Sequence, residues 1–197
     1  VTIKENSGSE KYDGTEKTVT GYTVVSISNP LYKESDFTFS GDATIKGTDA
    51  GSYDMNVKAT DFTNTNGNFT KVTFVIEDGK LTISKREVTL TSGSDEKVYD
   101  GTALTKDEVT VSGDGFVEGE GATCTVTGSQ TNVGSSDNEF TYTLNEGTKA
   151  DNYEITTTPG KLTVKASEAE VIVTIKENSG SEKYDGTEKT VTGYTVV

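Results

Sequence analysis

The chain has 197 residues, a formal net charge of −14, one cysteine and no histidine. Without histidine, Ser-His-Asp catalysis, Cys-His catalysis and typical zinc chemistry are excluded. The acidic balance also disfavours binding to nucleic acid through its phosphates. No apolar run approaches the roughly 18 residues of a membrane-spanning helix. We therefore expect no enzymatic activity, no cofactor, no metal, no nucleic-acid partner and no membrane insertion of this segment.

The first and last 25 residues of the chain are identical, and both read VTIKENSGSEKYDGTEKTVTGYTVV. The two copies start at Val1 and Val173, so the repeat period is 173 − 1 = 172 residues. Identity this complete indicates tandem duplication within a longer array. The neighbouring repeats of the same chain are therefore expected partners of each repeat.

A Tyr-Asp-Gly-Thr motif divides each period in two, with spacings of 87 (99 − 12) and 85 (184 − 99) residues. We predict domain A at residues 1–86, domain B at residues 87–172, and the incomplete start of another A-type domain at residues 173–197. We interpret the motif as a structural turn, in which glycine supplies a positive φ, aspartate bonds nearby backbone donors and tyrosine packs inward. Its residues are Tyr12, Asp13, Gly14 and Thr15, then Tyr99, Asp100, Gly101 and Thr102, then Tyr184, Asp185, Gly186 and Thr187.

Taken in chain order, the predicted elements are almost all strands. A polar cap before Pro30 predicts one short helix within residues 28–36. Elsewhere, period-two alternation and a richness in threonine, valine and tyrosine indicate half-buried strands. The pattern predicts an all-β fold with at most one short helix per domain. The predicted strands cover residues 1–4, 18–28, 37–40, 53–59, 72–77, 81–84, 88–91, 109–112, 140–144 and 153–157.

Cys124 and the acidic loops are candidates for a functional role, but a structural role explains each of them as well. Cys124 alternates with Ala122 and Val126, as on the inner face of a strand, so we interpret it as a structural thiol. Acidic loops at residues 49–54, 112–115 and 118–120 match no known calcium-binding ligand pattern. We interpret their carboxylates as solvated, and the sequence identifies no ligand-binding site.

The joints between the predicted domains lack chain breakers. Residues 81–90 contain neither glycine nor proline, which predicts a stiff connection between domains A and B. Residues 164–172 form a longer joint of the same character. Residues 173–197 supply only the first strands of a domain, and two strands are marginal alone. We therefore expect this fragment to be held by the end of domain B or by the strand edge of a neighbouring molecule.

The motifs resemble the YDG tandem repeats of bacterial cell-surface proteins, which commonly accompany MBG repeats in large, wall-anchored adhesins. The resemblance rests on Lys11-Tyr12-Asp13-Gly14-Thr15, on Lys97-Val98-Tyr99-Asp100-Gly101-Thr102, and on the closing Gly-Lys-Leu-Thr-aliphatic segments at Gly79 and Gly160. It implies two tandem small β-rich domains arranged end to end, each a β-grasp-like or immunoglobulin-like sandwich. It also implies an extracellular location at the cell wall, reached through other parts of the parent protein. Related surface domains sometimes carry a lysine–asparagine isopeptide crosslink, for which the sequence identifies no pair.

Two functions follow from this resemblance and from the repeat pattern. The first is a structural and adhesive tandem repeat of a bacterial surface protein, forming an extended stalk that projects a binding region. The alternative is that each repeat is itself a weak, multivalent module for binding host glycans or mucin. The nine tyrosines could offer sugar-facing rings, whereas the absence of tryptophan weakens that alternative.

Overall fold

The chain is built almost entirely from β-strands. A computed structural model describes all 197 residues, about 46% of which lie in strands, alongside three single-turn 3₁₀ helices at Glu34–Asp36, Ala59–Asp61 and Ala150–Asn152. The predicted all-β, sandwich-type fold is confirmed. No helix has the length and apolarity needed to cross a membrane.

The strands follow one another through the chain at short intervals. Within residues 1–86 they are β1 (Thr2–Glu5), β2 (Gly8–Lys11), β3 (Lys17–Thr20), β4 (Tyr22–Ser26), β5 (Phe37–Phe39), β6 (Thr44–Gly47), β7 (Gly51–Asp54), β8 (Phe62–Asn64), β9 (Val75–Glu77) and β10 (Lys80–Ser84). Within residues 86–172 they are β11 (Arg86–Ser92), β12 (Asp95–Val98), β13 (Val109–Gly113), β14 (Ala122–Val126), β15 (Gly134–Asn138), β16 (Phe140–Leu144), β17 (Tyr153–Thr158) and β18 (Gly160–Lys165). The last two are β19 (Ile175–Glu177) and β20 (Tyr194–Val196).

In domain A the first and last stretches of chain run side by side in the same direction. β1 pairs parallel with β9 and antiparallel with β4. β2 pairs parallel with β10, which pairs antiparallel with β7 on its other side. The result is two three-stranded sheets, ordered β4-β1-β9 and β2-β10-β7, with β3–β6 and β5–β8 as two further pairs.

Domain B repeats this arrangement with its own strands. Its two sheets are ordered β13-β11-β17 and β12-β18-β15. As in domain A, the first two strands pair parallel with the last two: β11 with β17 and β12 with β18. β14 and β16 form an additional antiparallel pair. The two domains therefore share a topology in which the incoming and outgoing chain cross from one sheet to the other together.

The core occupies the space between the sheets and continues across the boundary between the domains. Ile3 and Leu90, at equivalent positions of β1 and β11, are both fully buried. One apolar cluster contains buried residues of domain A together with Val88, Leu90 and Tyr153 of domain B. A smaller cluster of Leu104, Leu162 and Val164 lies within domain B.

Several sequence predictions about local structure are wrong, including the strand at residues 72–77, which begins only at Val75, and the single strand at residues 18–28, which is divided into β3 and β4. Residues 53–59 do not form one strand, because β7 ends at Asp54 and Asn56 adopts a φ of 66°. Met55 and Val57 are nevertheless buried, so the alternation correctly marked inward-facing side chains. The predicted helix at residues 28–36 is reduced to a turn, closed by the Tyr32 N–H on the Asn29 carbonyl, followed by a 3₁₀ turn.

Of the two partners expected for residues 173–197, the end of domain B is wrong, and the strand edge of a neighbouring molecule stays a prediction. Strands β19 and β20 pair only with each other, and every residue of the fragment is exposed. Ile175 is 56% exposed, whereas Ile3, its counterpart in the identical first copy, is fully buried. The physical reason is that the fragment lacks partners equivalent to β9 and β10, so its apolar side chains have no second sheet to pack against.

Candidate functional site: the joint between domains A and B

The Tyr-Asp-Gly-Thr motif folds into the same turn at all three positions. In the first copy, Asp13 Oδ1 accepts hydrogen bonds from the backbone N–H and the hydroxyl of Thr15, at 2.9 and 2.6 Å. The glycines have φ of 80°, 80° and 81°, in the left-handed region that glycine adopts readily. A lysine, and then the threonine, lowers the pKa of each motif aspartate. The other two copies repeat the bonds between Asp100 and Thr102 and between Asp185 and Thr187.

The tyrosine of the first motif is inserted into domain B. Tyr12 is only 4% exposed, and its hydroxyl donates to Glu120 Oε1 at 2.5 Å. Its ring meets that of Tyr153 edge to face, with centroids 5.7 Å apart. The Tyr153 hydroxyl donates to the other carboxylate oxygen of Glu120 at 2.6 Å and accepts from the Val117 N–H. One glutamate of domain B thus joins a tyrosine from each domain.

Burial and this shared carboxylate change the acidity of both tyrosines. Desolvation, followed by the hydrogen bond to Glu120, raises the pKa of Tyr12 to about 12. The same two causes in the same order raise the pKa of Tyr153 to about 12. Both hydroxyls therefore stay protonated at neutral pH and act as hydrogen-bond donors.

Ion pairs flank the tyrosine cluster on two sides. Lys11 Nζ lies 2.7 Å from Asp114 Oδ2, and Lys149 Nζ lies 2.7 Å from Asp49 Oδ2. The buried Asn152 side chain accepts from the backbone N–H of Ala50 at 2.7 Å and donates to Asp49 at 2.9 Å. The hydrogen bond from Lys11 lowers the pKa of Asp114, and those from Asn152 and Lys149 lower the pKa of Asp49.

Arg86 ties the connecting segment to the loop that receives Tyr12. Only Lys85 separates β10 from β11, and Arg86 is the first residue of β11. Its guanidinium donates to the carbonyls of Gly115, Asp114 and, at 3.3 Å, Tyr12. The guanidinium thereby spans the boundary, because its acceptors come from both domains.

The strand directions show that the two domains meet head to tail. On domain A, the contact residues follow the ends of β2 and β10 or precede the antiparallel β7. On domain B, they lie at the starts of β11 and β17 or in the loop after the antiparallel β13. A contact between unlike surfaces of successive units is heterologous, which is the geometry that generates open arrays rather than closed pairs.

The three motif tyrosines differ sharply in their surroundings. Tyr12 is buried, whereas Tyr99 is 43% and Tyr184 is 95% exposed. Tyr99 is nonetheless mounted like Tyr12, since its backbone N–H donates to Lys165 at the end of β18, as that of Tyr12 donates to Ser84 at the end of β10. The three tyrosines differ in exposure because only Tyr12 has a following domain packed against it, and not because their turns differ.

Comparison with known families agrees with this architecture. Residues 1–85 match the model of the MBG domain, and residues 84–160 match the model of the YDG domain. The chain carries repeat domains of the YDG and MBG type. A search of the curated proteins and a search of the solved structures each found no match.

The MBG-type and YDG-type domains thus differ in family although both contain the Tyr-Asp-Gly-Thr motif. Both are non-enzymatic domain families. The boundary between the two matched ranges falls at residues 84–85, where β10 passes into β11.

Sequence reasoning missed the acidic residues that join the MBG-type domain to the YDG-type domain. Asp49, Asp114 and Glu120 lie in the loops that we interpreted as solvated, yet each bonds a residue of the other domain. The sequence does show the acidic loops and the lysines Lys11 and Lys149, but it does not show which carboxylate faces which lysine. Spacing along the chain could not reveal it, because the partners are 100 or more residues apart.

The remaining candidates are Cys124, the acidic side chains and the buried polar residues. Cys124 is half-buried beside the core, and burial raises the pKa of its thiol. No group of three or more cysteine, aspartate or glutamate side chains is arranged to hold a metal ion. The buried polar residues are Glu5, Ser92, Asn138 and Asn152, and they include no lysine that could form an isopeptide bond in the core.

Proposed function

We propose that this chain is a structural segment of a bacterial surface protein, in which YDG-type and MBG-type domains stack in series to form an extended stalk. The observation that carries the proposal is the joint between domains A and B, where Tyr12, Glu120 and Tyr153 interlock two unlike domain ends. Such a contact can recur along an array without closing it. The proposed location is extracellular, at the cell wall, through parts of the parent protein outside this segment.

The order of the strands supports a role in bearing tension. In each domain the incoming strands lie parallel to, and hydrogen-bonded with, the outgoing ones, as β2 does with β10 and β12 with β18. Pulling on the two ends of a domain would slide these strands past each other, loading the hydrogen bonds of the ladder together. A ladder that is sheared in this way resists more force than one that is opened bond by bond, and this suits a segment that projects from a cell.

The placement of aromatic side chains favours a stalk over a glycan-binding repeat. Most aromatic rings of domain A pack against one another: Tyr22, Tyr32, Phe37, Phe39, Phe62, Phe69 and Phe74 form a continuous set of stacked and edge-to-face contacts. Apart from Tyr32 and Phe69, which line an open groove, these rings are therefore not offered to a sugar. Saturable binding to immobilised mucin that strengthens with repeat number would favour the alternative, with host glycans as the partner.

Small-angle scattering tests the stalk directly. Chains of one, two and three 172-residue periods are compared under the same buffer conditions. We expect the maximum dimension to increase by a nearly constant step per period, because head-to-tail units add length in one direction. A dimension that grows only with about the square root of the period number, as for freely jointed units, would contradict the proposal.

A further inference from the structure

The end of domain A that precedes β1 carries an open groove of about 500 Å³, and half of its 12 lining residues are hydrophobic. It lies between the loop after β4 and the chain leading into β9. Its apolar lining comprises Val1, Ile27, Tyr32, Phe69, Val72 and Val75. Nearby, Leu31 is 76% exposed. Nothing in this chain covers the groove.

This groove is the counterpart of the surface on domain B that receives Tyr12. Thr2 pairs with Val75 and Ser26, and Thr89 pairs with Thr156 and Ser112. The strand registers match on this side of a β-bulge that lies between Thr2 and Ile3 and is absent from domain B. Val72, three residues before Val75, therefore corresponds to Tyr153, three residues before Thr156. The loop that follows Ser26 corresponds in the same way to the loop that follows Ser112.

The two loops place similar residues at the same distance from their strands. Glu34 stands eight residues after Ser26, as Glu120 stands eight residues after Ser112. Leu31 occupies the position of Val117, whose side chain lies against Gly14 of the inserted motif. Counted from the strand, the loop after β4 thus has a carboxylate and an apolar residue at the separations that domain B uses to hold a Tyr-Asp-Gly-Thr turn, and both residues lie outside the lining of the groove itself.

The far end of domain B presents the matching half of this contact. Val98, Tyr99 and Val133 are 54%, 43% and 57% exposed, at the end that corresponds to the Tyr12 end of domain A. The A–B joint contains the ion pair Lys11–Asp114, and neither surface of this second contact has a charged residue at the corresponding position. Val98 stands directly before Tyr99 as Lys11 stands before Tyr12, and Ser28 occupies the position of Asp114. Neither surface therefore leaves an unpaired charge at that point.

We propose that the groove of each A domain is the docking site for the Tyr99 end of the B domain that precedes it in the array. The occupant is a neighbouring repeat, because residues 173–197 show that a B domain is followed by an A-type sequence. Tyr99 enters between the Glu34 loop and Val72, and Leu31 covers Gly101. The inference deepens the proposed stalk by defining its second joint, and rests on that proposal for the serial order of domains.

The connecting segment at this second joint is longer than at the first. From Gly79 to Val88 there are 9 residue steps, and from Gly160 to the equivalent Val173 there are 13, so four additional residues lie between B and A. Residues 166–174 form no strand or helix. The docked contact, and not a taut connection, is therefore what fixes the orientation of the following A domain.

The test completes the domain that begins at Val173. Residues 26–85 are appended after Val197, and Cys124→Ala removes the thiol that would compete for the reagent. Tyrosine nitration by tetranitromethane is then followed by mass spectrometry in this chain and in the chain that ends at Val197. Tyr12 is the buried reference and Tyr184 the exposed one. Glu188→Asp distinguishes the tryptic peptide of Tyr184 from the otherwise identical peptide of Tyr12.

We expect nitration of Tyr99 to slow by about tenfold or more when the third domain is present, because a docked ring reacts only when the contact opens. Tyr184 should react equally fast in both chains. Leu31→Glu introduced into the added domain should restore the nitration rate of Tyr99. The same substitution in the first domain should leave that rate unchanged, because the groove there has no B domain before it.

An unchanged nitration rate of Tyr99 upon addition of the third domain would overturn the docking proposal. So would protection of Tyr99 that persists when Leu31→Glu is placed in the added domain. Either result would leave the stalk itself to the scattering series: a nearly constant step per period would show that other contacts hold the second joint, whereas square-root growth would show a hinge there and contradict the stalk as well.

Discussion

At the scale of single residues, the joint between domains A and B depends on two tyrosine hydroxyls that donate to one carboxylate. Tyr12 and Tyr153 supply the donors and Glu120 the two acceptor oxygens. A glutamate that accepts from both sides stabilises the contact only while both phenols are protonated. The turn that carries Tyr12 could be predicted from the sequence, whereas its acceptor could not, because Glu120 is 108 residues away.

Truncating Tyr12 should destabilise the chain far more than truncating its duplicate. Tyr12→Ala removes a buried ring and the hydrogen bond to Glu120, and we expect a loss of about 3 kcal/mol in the free energy of unfolding. Tyr184→Ala changes the same residue in the same sequence at an exposed position and should cost less than about 0.5 kcal/mol. Urea denaturation of the two variants makes the comparison, and equal effects would show that Tyr12 is not inserted into domain B.

Alkaline pH should weaken the joint through the same two tyrosines. Their pKa is raised to about 12 in the folded chain from an ordinary value of 10.0. The stabilisation they provide is therefore complete below pH 10 and is lost as the pH rises towards 12, because the unfolded chain releases the protons first. The urea midpoint measured from pH 8 to 12 should fall across this window. The fall should be smaller in Tyr12→Phe, which has one fewer phenol to titrate.

At the scale of elements, each domain needs a polar anchor where its first strand crosses between sheets. Glu5 ends β1 and is 2% exposed, and its two oxygens accept from the N–H groups of Val57 and Gly79 at 2.6 and 2.7 Å. Domain B solves the same problem with Ser92, whose hydroxyl accepts from the Gly160 N–H and donates to the Asn138 carbonyl. The anchor is therefore conserved as a position in the fold although its chemistry differs.

Replacing Glu5 with glutamine should destabilise domain A. The amide NH₂ of Glu5→Gln must face a backbone N–H, so that one buried donor loses its acceptor, at a cost of about 2 kcal/mol. Glu177→Gln is the matched control, since Glu177 occupies the same place in the duplicate copy and is exposed. Thermal unfolding followed by circular dichroism measures both. A neutral effect of Glu5→Gln would mean that the two N–H groups are satisfied in another way.

Most strands could be predicted from alternation, and the exceptions have physical causes. Residues 18–28 were predicted as one strand and form two, because Gly21, with a φ of 85°, turns the chain between β3 and β4. The two identical copies show that burial is harder to predict from the sequence than strand position. The first copy of these 25 residues buries Ile3 and Glu5 within domain A and Tyr12 against domain B, whereas every residue of the second copy, which has neither neighbour, is exposed. Burial in this small domain is a property of its partner strands and cannot be read from one segment.

In the whole molecule, the two domains of the 172-residue period form one body. The core cluster continues from domain A into domain B, and Tyr12, Arg86, Asp49 and Asp114 bond across the boundary. The sequence predicted a stiff connection from the lack of glycine and proline between β10 and β11. The side-chain contacts that supplement this connection come from loops that are distant in sequence, which is why only the structure reveals them.

The measurement that tests this rigid joint most directly is ¹⁵N relaxation of the unmodified chain by nuclear magnetic resonance. Rotational diffusion is derived separately from the amides of residues 1–86 and of residues 87–165. We predict that both sets fit a single anisotropic diffusion tensor, while residues 173–197 show faster local motion because nothing covers them. Two distinct correlation times, each appropriate to a lone domain, would contradict a rigid joint and would make the contacts around Tyr12 too weak to hold the domains together.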